Sequence, residues 1–318
     1  MGLKKLTNAL VATAGAGAFF VGLGVTPASA DLLPFGINPN VLVTTGGPFG
    51  TPVTATDLNG VSNAIIQQTG PTTQVETGYL QMNGLTNNGA NVSSTLSRLV
   101  KEGDIGSPGT NVYGLYITFK GTTSGVSGFG PGVSGTVGAG DYQFALYADL
   151  GDNDTFNAGS TSATGGSAPN VSGTAGDVLL AIGNSLNGSV GFASVSGAPF
   201  FDVLASFILC NGTAGQGTLG GQVVAATNNQ GSCGAFNGSS YFVSPIPFYK
   251  LDFNSSISGS SANLVGLNGG PPPNVLLNGV VADINFQSIP EPSTLSMFGA
   301  ALLGLGLLFR RRKANNNA

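Results

Sequence analysis

The stretch "NVYGLYITFKG" sets Tyr113, Leu115, Ile117 and Phe119 on one face of an extended chain, with Thr118 and Lys120 on the other. A period of two is the mark of a half-buried β-strand, and it leaves little room for a helical reading. The pattern returns along the chain. "DYQFALYADL" groups Tyr142, Phe144 and Leu146, and "PFYKLDFN" sets Tyr249, Leu251 and Phe253 against Lys250, Asp252 and Asn254. "NVLLNGVVADINFQ" places Leu276, Val280, Ala282, Ile284 and Phe286 opposite Val281, Asp283, Asn285 and Gln287. "DVLLAIGN", "SVGFAS" and "ETGYLQMNGL" read as further strands. "FFDVLASFILC" is apolar on both faces, which predicts a central strand. The predicted fold class is all-β: an antiparallel β-sandwich of jelly-roll type over residues 31–289, with a single barrel as the second choice.

Turn-rich intervals separate the strands. Gly accounts for 52 of 318 residues, concentrated in stretches such as 121–140 and 157–176, which read as flexible connections. Residues 31–110 are less regular, and "NVSSTLSRLVKEGD" reads as a short helix capped by Ser93 or Ser94. Only 8% of residues are charged, so the surface of such a chain is built from Ser, Thr, Asn and Gly.

Charge is also unevenly placed. Six of ten basic residues lie at the two ends, and between Asp31 and Asp283 thirteen acidic residues face four basic ones. That balance argues against nucleic acid as a partner. The chain has no histidine, which excludes Ser-His-Asp and Cys-His nucleophile pairs and His-ligated zinc. Paired-carboxylate glycoside hydrolysis survives that exclusion, with Asp141, Asp202, Asp252 and Asp283 on strands, but the absence of Trp removes the usual sugar-stacking platform. No catalytic residue is assigned, and a non-enzyme is expected.

Two constellations in the body carry chemistry. Cys210 and Cys233 are the only cysteines and, in an exported chain, are expected to form a disulfide. "DLGDNDTFNAG" gathers Asp149, Asp152 and Asp154 at the end of a strand. Hard oxygen donors at that density suit Ca2+, although the downstream Glu of an EF-hand is missing; the competing reading is a polar turn. No other cofactor is expected.

The two ends carry membrane signals. Lys4 and Lys5 precede an apolar run from about Ala9 to Val25, and Ala28-Ser29-Ala30 forms a small-residue cleavage site. Residues 1–30 therefore read as a secretory signal peptide, handled by the Sec machinery and cut after Ala30. A retained anchor helix is the alternative. At the other end, residues 290–318 hold Pro290, Glu291 and Pro292, an apolar run over 295–309, and Arg310, Arg311, Arg312 and Lys313. Fifteen residues of helix span ~22 Å, short of the ~30 Å hydrocarbon core, so this single transmembrane helix is a thin or transient anchor. The basic cluster stops transfer on the cytoplasmic side.

"PEPSTLSMFGAALLGLGLLFRRRK" resembles the PEP-CTERM sorting signal of exported proteins in Gram-negative bacteria. The resemblance implies recognition by an exosortase, a membrane-embedded cysteine protease-transpeptidase, with an inner-membrane intermediate followed by the cell surface or extracellular matrix. The tail "ANNNA" is longer than usual for that signal, and an anchor that is never cut is the alternative. The body segments "NVYGLYITFKG", "DYQFALYADLGDNDTF", "FFDVLASFIL" and "YFVSPIPFYKLDFN" resemble flocculation-associated PEP-CTERM proteins. That second resemblance implies a role in exopolysaccharide, floc or biofilm formation and carries no catalytic residues. The rival expectations are a calcium-dependent adhesion module and a carbohydrate-active enzyme.

Overall fold

The computed structural model describes residues 34–42, 51–92, 99, 112–164, 166–194, 198–244, 250–256, 264–268 and 273–287. The proposed helix at Ser93 or Ser94, the signal segment with Ala28 and Ala30, and the whole of 290–318 lie outside the described residues. Among the described residues most are β-strand and almost none helical, and the sheets are antiparallel, as the alternation predicts.

Eight long strands form the frame: β1 Asp57–Gly70, β2 Thr73–Asn87, β3 Tyr113–Ser124, β4 Tyr142–Leu150, β5 Val178–Phe192, β6 Pro199–Cys210, β7 Lys250–Ser256 and β8 Asn274–Gln287. Each pairs antiparallel with the next, and β8 pairs back onto β1 through registers such as Ile284 with Leu58. The pairings therefore close into a ring in up-and-down order. Within the all-β class this selects the barrel, the second choice, over the Greek-key crossings of a jelly roll. Closure leaves no free edge among the eight, which matters for a chain with so little charge to guard one.

The interior is filled by side chains. Tyr113, Leu115, Ile117 and Phe119 of β3 face Phe144 and Leu146 of β4 inside the ring, and Phe201 of β6 meets Phe119 and Tyr142 with ring centroids 6.1 and 5.0 Å apart. At one end, Phe35–Ile37 forms a small sheet with Val53–Ala55 and Phe242–Ser244. Its Phe35, Ile37 and Phe242, together with Tyr241, join the same core, where the Tyr241 and Tyr113 hydroxyls meet at 3.3 Å. β6, expected to be central, is paired on both sides by β5 and β7, as every strand of the ring is by its own neighbours.

In β8 the alternation breaks. Its pairing with β1 shifts between Leu277 and Val280, so the strand changes face at a bulge. Val275 and Leu277 enter the core before it, and Val280, Ala282 and Ile284 after it. Leu276, expected beside Val280, therefore lies on the other face.

The two Gly-rich stretches hold ordered contacts and paired strands. Within 121–140, β3 runs on to Ser124 and Ser134–Val137 pairs with β5. The intervening loop is tied by Gln68 and Gln74, whose side-chain amides donate to the carbonyls of Val126 and Gly128 at 2.9 and 2.8 Å. Within 157–176, residues Asn170–Ser172 pair with Thr155–Asn157.

Cys210 and Cys233 are bonded, with Cα atoms 5.3 Å apart. They sit in a second, smaller cluster with Ala145, Ile182, Ile208 and Ala226. A bridge across this separation of 23 residues contributes about 3 kcal/mol by restricting the unfolded chain.

Candidate metal centre and flanking clefts

Between β4 and β5, neighbours in the ring, the chain makes a long excursion over residues 151–177 and returns. Asp149 stands near the end of β4, Asp154 immediately precedes the strand Thr155–Asn157, and Asp177 immediately precedes β5. The base of the excursion thus gathers three carboxylates, each offering an oxygen within 4.8 Å of the others. Asp149 and Asp154 are buried at 0% and 8% exposure. Asp149 Oδ2 accepts a hydrogen bond from the Asp154 backbone N–H at 3.0 Å. The Tyr116 hydroxyl donates to Asp177 Oδ2. That spends its one proton, and Asp149 Oδ1 and both oxygens of Asp154 have no well-aligned hydrogen-bond donor, although Asp154 lies near enough to Asp177 and Tyr116 for both to act on its ionisation.

Local backbone geometry explains the approach. Gly173 has φ +98, open to glycine, and a Cβ there would stand 3.3 Å from Asp154 Oδ1. The following residues turn tightly, with the Ala175 N–H on the Gly173 carbonyl at 2.7 Å and the Asp177 N–H on that of Thr174 at 3.2 Å. Asp152, the third member of the sequence-derived set, is not part of the trio. It occupies the turn with φ 50, a conformation Asp and Asn tolerate, and lines the adjoining cleft.

Electrostatics follow from the crowding. Burial pushes the Asp154 carboxyl up to about 8, with the charges of Asp149 and Asp177 adding to the effect. Burial also raises Asp149, aided by Asp177 and Asp152 and opposed by the hydrogen bonds it accepts from the backbone. Burial, then Asp177, holds the Tyr116 hydroxyl far above its usual range.

Two clefts flank the trio. One of about 450 Å³ is lined by Asn63, Tyr79, Gln81, Asp154, Phe156 and Asn278. The other, of about 360 Å³, includes Tyr79, Tyr116, Tyr147, Asn170, Asp177 and Gln230. Phe156 stands edge-on to Tyr79 and Tyr116 at 5.1 and 5.5 Å, and Tyr116 stacks on Tyr147 at 5.1 Å. These residues lie on the outward face of β2, β3 and β4, since the inward positions of β3 and β4 are taken by the core. Of the four strand aspartates considered for hydrolysis, Asp141 and Asp202 are exposed. Asp202 registers with Asn254, one strand from Asp283, while Asp252 registers with Leu204.

Sequence reasoning missed Asp177 and Tyr116. Asp177 is the single acidic residue of "GTAGDVLL", directly before an apolar strand, and that position was the available signal. Tyr116 was legible as the outward member of its strand and no more.

Comparison with known families decides the question of destination. The model of the PEP-CTERM protein-sorting motif matches residues 288–313. The chain carries a PEP-CTERM protein-sorting motif. The matched span takes in Pro290, Glu291 and Pro292, the apolar run 295–309 and the Arg310, Arg311 and Arg312 cluster. The motif implies export, processing by an exosortase, and a destination at the cell surface or in the extracellular space. No curated protein and no solved structure matches the chain. Among the described residues, no helix is long and apolar enough to cross a membrane.

Proposed function

We propose that this PEP-CTERM protein is a non-enzymatic component of the exopolysaccharide matrix of a Gram-negative bacterium, where it promotes floc or biofilm formation. The Sec machinery carries it out, the run 295–309 holds it in the inner membrane, and the exosortase releases the barrel. The sorting motif at 288–313 is the observation that carries this reading. Its body supports it in two ways. The outer face of β2, β3 and β4 presents clefts lined by amides and aromatic rings, the groups that hydrogen-bond and pack against neutral sugars. The acidic trio has too little exposed oxygen to reach a glycosidic bond: Asp149 Oδ1 and both Asp154 oxygens are shut off from solvent.

The test compares a gene-deletion strain with the wild type for floc formation and for protein in the extracellular polysaccharide fraction. Deletion is expected to abolish flocs, and re-expression of a chain ending at Ile289 is expected to leave them absent, with the protein lost to the medium. Flocs undiminished by deletion would overturn the proposal.

A further inference from the structure

Two neighbouring acidic side chains that carry unpartnered, buried oxygens are an unstable arrangement in a protein that holds them as carboxylates. Carboxylates only accept hydrogen bonds, so with no cation present Asp149, Asp154 and Asp177 can satisfy one another only through a proton held on Asp154. Burying an unpaired charge is among the costliest things a fold does. Here Asp154, at 8% exposure, has no well-aligned donor on either oxygen, and Asp149 Oδ1 has none although its residue is wholly buried. Each offers an oxygen within 4.8 Å of one on Asp177. The stretch that holds all three aspartates, between Lys120 and Lys250, contains no basic residue.

We infer that Asp149, Asp154 and Asp177 form a Ca2+ site that clasps the base of the 151–177 excursion to the barrel. The dimensions fit. Oxygens on opposite sides of a calcium ion, each ~2.3–2.6 Å from it, stand about 5 Å apart, and the three donors here lie within 4.8 Å of one another. Carboxylates binding through one or two oxygens supply three to six of the ~6–8 ligands such an ion takes, and water or carbonyls complete the shell. The ion joins three points that are distant in sequence: the end of β4, the start of the strand Thr155–Asn157 and the start of β5. It thereby fixes the excursion whose Phe156 covers Tyr79 and Tyr116. This assignment is independent of where the protein is sorted and of whether it meets polysaccharide.

The experiment uses the full chain purified in detergent, stripped with EDTA, and titrated with Ca2+ alone while thermal unfolding is followed. Sites of extracellular modules bind at roughly 10⁻⁴–10⁻³ M, so ~100-fold excess over Kd is reachable and raises Tm by roughly 5–10 °C. Asp177→Asn keeps an acceptor for the Tyr116 hydroxyl and is expected to fold, yet to lose at least tenfold in Ca2+ affinity; Asp154→Asn is expected to do the same. Asp152→Asn, conformationally tolerated at φ 50, retains the response. A second readout needs no stability change: Tb3+ in the site is sensitised by Tyr116, since the chain has no Trp, and Ca2+ displaces the emission. A wild-type protein whose Tm and Tb3+ emission ignore the ions overturns the assignment. So does a calcium response that survives both Asp154→Asn and Asp177→Asn, or one lost on Asp152→Asn alone.

Discussion

Gly121→Ala is expected to lower the melting temperature by roughly 5–10 °C. A Cβ at this position would lie 2.1–2.3 Å from three ring atoms of Tyr142, its partner across β3 and β4. The ring has nowhere to go. It packs against Phe201 at 5.0 Å, accepts a hydrogen bond from the Thr123 hydroxyl at 3.0 Å, and donates to Glu76 Oε2 at 3.0 Å. Overpacking of a fixed core residue costs ~1–3 kcal/mol and more when buried hydrogen bonds break with it. Gly234→Ala is the matched control. Nothing stands within 4 Å of its Cβ position, and that variant should melt within a degree or two of the wild type. Equal melting of the two variants, by calorimetry or circular dichroism, would refute the packing argument.

The partner of Tyr142 supplies the second large effect. Glu76 sits inside the barrel at 5% exposure. Burial raises its carboxyl from 4.5 to about 7, opposed by the hydrogen bond from Tyr142. The folded chain therefore holds a proton that the unfolded chain releases between pH 4.5 and 7. The stabilisation is complete below 4.5 and is lost as pH rises through 7, for a total of about 3 kcal/mol. Glu76→Gln removes the titration while keeping the acceptor for Tyr142. Relative to the wild type, its Tm should gain roughly 6–12 °C as the buffer moves from about pH 4.5 to 8. Parallel pH profiles for the two proteins would show that Glu76 does not titrate in this range.

Legibility in the sequence tracked regularity of pattern. β3 and the first half of β4 alternate without interruption, so Tyr113–Phe119 and Tyr142–Leu146 could be assigned to one buried face residue by residue. β6 announced itself as central because both faces are apolar, its outward Ile208 and Cys210 belonging to the disulfide cluster. β1 stayed hidden, since between its core positions Leu58, Ala64 and Ile66 the same face carries Gly60 and Ser62, which leave no apolar signal. The bulge in β8 misled the assignment of Leu276, because strict alternation carries no mark of an extra residue. Ring closure was illegible in principle, because the pairing of β8 with β1 links the far ends of the body and no local signal encodes it. At the acidic centre, Asp149 and Asp154 stood out by proximity, whereas Asp177 reaches them only through the fold of a stretch whose composition reads as linker.

The account rests on a carboxyl-terminal segment that parks the exported barrel and is then removed. Mass spectrometry of the protein recovered from outside the cell addresses this directly. The expected product begins at Asp31 and lacks the apolar run 295–309 together with Arg310–Lys313. A strain lacking its exosortase should instead retain the full carboxyl terminus in the membrane fraction. Extracellular protein that still ends in the arginine cluster and its asparagine tail would contradict the account.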